Sequence, residues 1–194
     1  RDLITESEQR HFAKAHIGIA GLSVGSSIIL TIVLEGGGDR ITLADGDILA
    51  LSNTNRVRAS ITDLGKPKIN IVAEQIYAIN PYAELTCLSE GLTEKNIQHF
   101  FRGLDIVIDE IDNLPMKFRM REVAKRKRIP LVSAADEGDN GVISIERYDL
   151  RGSTKPFGGR MWNHTAESIT QMPKSAIGQL ITRLIGPKNI PVRM

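Results

Sequence analysis

The chain has 194 residues, 41% hydrophobic and 25% charged, with a formal net charge of +2, the composition of a globular protein with one sizeable core. That balance gives no argument for nucleic acid or a membrane surface as partner. The single cysteine, Cys87, excludes an intrachain disulfide framework and a Cys-rich zinc site and suits a reducing compartment such as the cytoplasm.

Taken in chain order, HIGIAG (16–21) reads as a short buried strand ending in glycine. SSIILTIVLEGGG (26–38) reads as a helix with a glycine-rich stop. ITLADGD (41–47) is a second strand. In PKINIVAEQIYAINP (67–81), Ile69, Val72, Ile76 and Ile79 share one helical face, and Asn80-Pro81 ends it. ELTCLSE is a third strand, and TEKNIQHFF begins as a helix with Thr93 as its cap. LDIVIDE (104–110) is the fourth and most apolar strand. Pro115 opens a helix that runs to about Arg128, and IPLVSAA is the fifth strand. GVISIERYDL (141–150) alternates with period two, and 173–185 suits one more helix.

Apolar strands separated by helices predict an α/β fold: a Rossmann-like, mostly parallel sheet with helices on both faces and a C-terminal antiparallel extension. The reading gives one domain over 1–150 and an appendage over 151–194. The opening Arg1 and the closing NIPVRM read as a piece of a longer protein. No apolar run has the length of a membrane helix, and no signal-peptide pattern opens the chain.

Ligands of open parallel sheets bind beyond the carboxyl ends of the strands. After the first strand come Gly21, Leu22, Ser23, Val24 and Gly25, leading into a helix. Small residues admit a phosphate to the backbone, and the helix N-terminus offers N–H groups and a positive dipole. A tight turn without ligand uses the same residues. Asp45 and Asp47 after the second strand suit ribose or metal contact. Asn53, Asn55, Arg56, Lys66 and Lys68 then bring amides and cations that match a triphosphate. After the fourth strand, Asp109, Glu110, Asp112 and Asn113 offer hard oxygens to Mg²⁺.

HIGIAGLSVGSS, ITLADGDILALSNTNR, DLGKPK, INP and IVIDEIDN resemble, in order and near-spacing, the ThiF/MoeB/HesA-type adenylyltransferases, the bacterial branch of the ubiquitin-activating enzyme superfamily. The specific parts are D-x-D, then S-N-x-x-R, G-x-P-K and D-x-x-D-N, and the resemblance covers roughly 1–150. It implies an adenylation domain that consumes ATP with Mg²⁺, activates the C-terminal carboxylate of a small ubiquitin-like or sulfur-carrier protein, and releases pyrophosphate. Gly21, Ser23 and Gly25 then belong to the nucleotide loop. Asp45 binds the ribose with Asp47 nearby. Asn53, Arg56 and Lys68 contact the phosphates, and Asp112 holds Mg²⁺. Arg1 matches an arginine that reaches into the partner's site across a homodimer, with Arg10 as its substitute. The expected partners are the carrier protein and a second copy of the chain, with no nucleic acid and no membrane.

Departures from the family pattern are informative. The family loop is usually G-x-G-G-x-G-S, and here Leu22 and Ser23 stand where glycines are expected, with Leu22 positioned to crowd the phosphate path. A bacterial subgroup resembles the chain in its GLSVGS loop and is sometimes joined to a nitroreductase-like domain. The chain has no Cys pair for a structural zinc, and Cys87 reads as a small core residue rather than a nucleophile. Adenylation alone is therefore the expected chemistry. A catalytically degenerate nucleotide-binding and dimerisation module is the alternative. An NAD(P)- or flavin-linked Rossmann protein is disfavoured, because the SNTNR and GKPK cations suit a triphosphate. The basic run from Lys117 to Arg128 reads as a solvated helix face, with cations favouring the helix C-terminus, in preference to a nucleic-acid patch. His11 and His16 read as surface or packing residues, and Asp136, Glu137 and Asp139 as a solvated loop in preference to a wall of the carrier tail's groove.

Overall fold

The computed structural model describes residues 3–137, 140–161 and 163–185, and the chain divides into two compact units, Arg1–Glu110 and Ile111–Met194.

In the first unit, β1 (His16–Ala20), β2 (Arg40–Ala44), β3 (Glu84–Leu88) and β4 (Ile106–Asp109) lie in the order β3-β2-β1-β4, and every pair is parallel. Ala20 stands level with Ala44 and with Asp109, so the three strands end together. The order reverses at β1, which is where doubly wound sheets open a ligand crevice.

Alternation along the strands sorts the two faces. Ile17, Ile19, Ile41, Leu43 and Ile108 pack into one buried cluster with Ile29, Leu30 and Val33 of α2 (Gly25–Leu34) and Ile69, Val72 and Ile76 of α3 (Lys68–Ile79). On the opposite face, a Cβ at Gly18 would lie 2.3 Å from Leu104 and 3.2 Å from Phe100 of α4 (Ile97–Phe100). Glycine at 18 therefore lets that face close over the strand. Both faces of the parallel sheet are covered, as expected.

Several local expectations shift. A helix precedes β1: α1 (Glu6–Lys14) opens on a capping box in which the Thr5 side chain takes the Glu8 N–H and the Glu8 carboxylate takes the Thr5 N–H. The α4 helix starts later than expected, with Asn96 at its N-cap. Thr93 and Asn96 instead exchange side-chain and backbone hydrogen bonds of 2.7 and 3.3 Å in the turn before it. Cys87 is not a core residue. It lies exposed on β3, the edge strand, and is covered only in part. Burial of that part pushes its thiol up, so it stays protonated at neutral pH.

In the second unit, α5 (Leu114–Lys127) is followed by an antiparallel pair, β5 (Leu131–Glu137) and β6 (Asn140–Glu146). Asp136 and Glu137, expected in a loop, instead extend β5 through pairing with Gly141 and Asn140, while Asp139 lies outside the described residues. Pro115 stands in the first turn of α5, where its missing N–H costs nothing. Leu114 and Phe118 of α5 share a buried cluster with Phe157, Met161, Ala166 and Ile169 of α6 (Ala166–Thr170) and Leu180 of α7 (Lys174–Ile185). No helix among the described residues is long and apolar enough to cross a membrane.

Candidate functional site

The turn out of β1 begins at Gly21, whose φ of +88° belongs to the left-handed region that favours glycine. Its N–H donates to the carbonyl of Ala44 at the end of β2 (2.9 Å). The next N–H, of Leu22, donates to Asp45 Oδ2 at 2.6 Å, and Asp47 N–H donates to Asp45 Oδ1 at 2.8 Å. Asp45 is buried. Its carboxylate thus ties the glycine turn to the turn beyond β2, using one lone pair on each oxygen. Each oxygen keeps a second acceptor lone pair.

Leu22 does not crowd the phosphate path. Its side chain is fully buried in the core cluster beneath β1 and β2, and only its backbone faces the turn. Ser26 is also buried, and its hydroxyl donates to the Ser23 carbonyl at 2.9 Å. The residue at the N-cap of α2, Val24, has no polar side chain and makes no capping bond. The first amides of α2, beginning at Gly25, therefore end the glycine turn without a side-chain acceptor, an arrangement suited to an anion.

The longer excursion from β2 to α3 returns to the same place. Asp47 accepts the Lys68 N–H on its carbonyl (2.9 Å) and the Lys68 ammonium on its carboxylate (2.8 Å). The Lys68 side chain is only 4% exposed whereas that of Asp47 is 73% exposed, so a buried cation is held by an anion from the solvent side. Lys68 Nζ also lies 3.4 Å from Ser23 Oγ, which places the ammonium at the glycine turn. Gly46 and Gly91 let the loops after β2 and β3 meet: a Cβ on Gly46 would lie 3.1 Å from the Glu90 backbone, and one on Gly91 3.2 Å from Gly46 N.

The other expected residues divide. Asn53 caps its own 3-10 turn, its Oδ1 accepting Ala50 N–H at 3.0 Å. Arg56 is exposed in the same loop, with Nη1 on the Ser52 carbonyl and on Asn55 Oδ1. Lys66 pairs with Asp63 at 2.7 Å and so serves the loop itself. Asp109, the last residue of β4, is fully buried. Asp112 is exposed, directly ahead of Asn113, whose Oδ1 caps α5 by accepting Met116 N–H at 3.0 Å. Arg1 lies outside the described residues, and the exposed Arg10 pairs with Glu6 one turn back in α1. Among the described residues, no three His, Cys, Asp or Glu side chains converge as a metal cluster.

The model of the ThiF family matches residues 1–166. The chain belongs to the ThiF family. It is 35% identical over 169 residues to the protein MT1398 of Mycobacterium tuberculosis, a match covering 87% of this chain and 23% of that protein. It is 33% identical over 138 residues to the tRNA threonylcarbamoyladenosine dehydratase of Escherichia coli, covering 70% of this chain and 52% of the relative. The sulfur carrier protein adenylyltransferase of Thermus thermophilus is 27% identical over 142 residues, covering 72% and 51%. The solved structure of the E. coli dehydratase, TcdA, in complex with ATP superposes with a TM-score of 0.63 at 34% identity, covering 69% of this chain and 56% of that one. The chain thus spans about half the length of these two functionally named relatives, and less of MT1398.

The sequence pattern sets Gly21, Ser23, Asp45, Asp47 and Lys68 around one turn, and the structure brings them together. What Asp45 does to the turn itself is not visible as a pattern, and neither is a buried network in the second unit. There Glu146 Oε1 accepts from Arg121 Nε (3.0 Å) and from Phe157 N–H (2.8 Å), and Oε2 accepts from the Tyr148 hydroxyl (2.5 Å). The signal was Glu146 itself, which shares strand parity with Val142 and Ser144, the less exposed side of β6.

Proposed function

We propose that this chain binds ATP at the carboxyl edge of its parallel sheet and adenylates a carboxylate, releasing pyrophosphate. The observation that carries the reading is the Asp45 clasp: a buried carboxylate shapes the glycine turn ahead of an uncapped α2, and the buried Lys68 ammonium stands beside that turn. These features fit a nucleotide. Ribose hydroxyls can use the second lone pairs of Asp45, and phosphate oxygens suit the α2 amides, Lys68 and, from the β2–α3 loop, Asn53 and Arg56. The ATP complex of the 34% identical TcdA supports the same reading.

Mg²⁺ belongs to the proposal through Asp112. The ion keeps most of its waters and takes one or two protein carboxylates beside phosphate oxygens, so a single exposed aspartate fits it without a protein-only cluster. When bound, it would neutralise charge on the phosphates. The chain's own residues do the remainder. Lys68 and Arg56 draw negative charge toward the leaving pyrophosphate, and Asp45 orients the sugar. The incoming carboxylate is already ionised at neutral pH, so no general base is required. A carboxylate oxygen bonds to the α-phosphorus, the bond from that phosphorus to the bridging oxygen breaks, and its electron pair leaves with pyrophosphate.

The carboxylate we favour is the C-terminus of a small ubiquitin-like or sulfur-carrier protein, as the name of the T. thermophilus relative implies for that enzyme. A second reading, a carboxylate borne on a tRNA nucleoside, is favoured by the higher identity to the dehydratases, 33% against 27%. Both need the same activation. The degenerate-module alternative loses its main support, since Leu22 is turned into the core. Titration of ATP and Mg²⁺ by calorimetry, beside NAD, tests the reading. Saturable ATP binding, weakened at least tenfold in Lys68→Ala, is expected, followed by pyrophosphate exchange with a carrier or a tRNA. Preference for NAD, or no ATP binding at millimolar concentration, overturns it.

A further inference from the structure

The overall charge of +2 conceals a division. The first unit carries ten Lys and Arg against fifteen Asp and Glu, and the second carries fifteen against eight, so their formal charges are −5 and +7. Asymmetry of this size within one chain is a signature of a polyanion-binding part.

The second unit also shows where the charge gathers. The last turn of α5 presents Lys125, Arg126 and Lys127, all exposed, and Arg128 closes the helix in the left-handed conformation (φ +58°). Arg128 Nη2 donates to the Asp149 carbonyl at 3.1 Å, which joins the helix end to the turn after β6. That turn carries exposed Arg147 and Arg151, linked by the Arg151 N–H on the Arg147 carbonyl (3.2 Å). Six exposed cations therefore surround one short junction, and the acid within that turn, Asp149, is paired with Arg147 at 2.6 Å. Attraction of cations to a helix C-terminus accounts for the last turn of α5. It does not account for Arg147 and Arg151, which come from another element.

We propose that this junction is a docking surface for the phosphodiester backbone of RNA. Exposed lysines and arginines on two adjoining elements match a run of phosphates, positioning a nucleic acid without reading its bases. The choice of RNA over other polyanions rests on the second reading above, in which the carboxylate is carried on a tRNA. The surface itself rests on the charges alone.

The test uses the full chain, a fluorescein-labelled tRNA transcript and three proteins. These are the wild type, the triple variant Lys125→Gln, Arg126→Gln, Lys127→Gln, and a control that removes three exposed cations of the first unit, Arg58→Gln, Lys95→Gln, Arg102→Gln. Anisotropy is read from 50 to 200 mM salt, with thermal melting as the check on folding and ATP calorimetry on each protein. The wild type is expected to bind tRNA with steep salt dependence. The triple variant is expected to lose on the order of tenfold in affinity and to flatten the slope of log K against log salt by about 2, at roughly 0.7–0.9 per phosphate contact. The control is expected to bind tRNA as the wild type does, and both variants to bind ATP as it does. Equal loss in the control, no loss in the triple variant, or anionic phosphatidylserine vesicles or polyglutamate bound as tightly as tRNA overturns the surface. If tRNA binds through the junction yet supports no pyrophosphate exchange, the substrate reading fails and the surface stands.

Discussion

Asp45 shows how one side chain can build a site before any ligand arrives. Both of its oxygens take backbone N–H groups from different turns, so Asp45→Asn must present an amide N–H₂ to one of those donors. That substitution is expected to cost about 1–3 kcal/mol by leaving a buried donor unmatched, and to weaken ATP binding; urea denaturation beside calorimetry reads both. Wild-type stability together with wild-type ATP affinity in the Asp45→Asn variant would remove Asp45 from the site. Leu22 makes the complementary case, since a residue in a ligand loop can belong wholly to the core. Leu22→Ala is expected to cost roughly 2–5 kcal/mol through the cavity it leaves, and in the protein that remains folded the ATP affinity should change little. His16 carries a pH signature. Its ring bridges the Gly103 carbonyl and the Thr42 hydroxyl at 3.0 and 2.9 Å, and burial holds its pKa below the ordinary 6.5. The unfolded chain therefore binds a proton first as pH falls, and stability present above about pH 6.5 is lost toward the lower folded value. Urea midpoints from pH 7.5 to 5 should fall in the wild type and fall less in His16→Gln; parallel curves would contradict this.

The elements differ in how openly the sequence announces them. The strands β1, β2 and β4 are continuous apolar runs because the sheet is covered on both faces, and they were legible for that reason. So was α3, whose apolar face repeats at helical spacing up to Asn80-Pro81. The α1 helix escaped because none of its residues is buried, so no apolar stripe marks it; only the Thr5–Glu8 capping box signals its start. Cys87 was misplaced because strand pattern does not tell an edge from a centre, and β3 is an edge. The position of Lys68 beside Ser23, across 45 residues, depends on the Asp47 clasp and on the close approach of Gly46 to Gly91, neither visible as periodicity. In the second unit, Arg121 and Glu146 are both about 1% exposed and hold α5, β5, β6 and the 156–159 turn through Ser133, Tyr148 and Phe157. Burial and the neighbouring carboxylate push Tyr148 up, so its hydroxyl stays protonated and donates to Glu146. Glu146→Ala takes the carboxylate from beside a buried guanidinium and is expected to cost about 3–5 kcal/mol, whereas replacing both partners with Arg121→Met and Glu146→Leu should cost less than the single change. Chemical denaturation of the double variant and of Arg121→Met and Glu146→Leu alone decides it, and an additive double variant would show that the pair is not coupled.

At the scale of the whole molecule, α2 poses a question that the single chain does not answer. Its sequence, GSSIILTIVL, is apolar nearly all round, and a helix of that kind is ordinarily covered on every side. Here Ile29, Leu30 and Val33 face the core, the half-buried Ile28 and Ile32 pack against it, and Thr31 and Leu34 are exposed. The homodimer that the family resemblance implies would cover the exposed side of α2, and in it a partner's arginine, at Arg1 or Arg10, would complete each site. A stable pairing needs about 800 Å² from each copy, more than one helix stripe supplies, so α2 would be the centre of the interface rather than its whole. Light scattering at micromolar concentration is expected to give twice the 21.4 kDa of one chain. Thr31→Arg with Leu34→Lys, both at exposed positions, should return the mass to that of a monomer with little change in melting temperature. ATP affinity measured on that monomer then separates two roles for the pairing: an unchanged value assigns the nucleotide site to one chain alone, and a weakened one requires the partner's arginine. A wild type that stays monomeric at a hundred micromolar removes the homodimer from the reading and leaves the outer stripe of α2 to another partner.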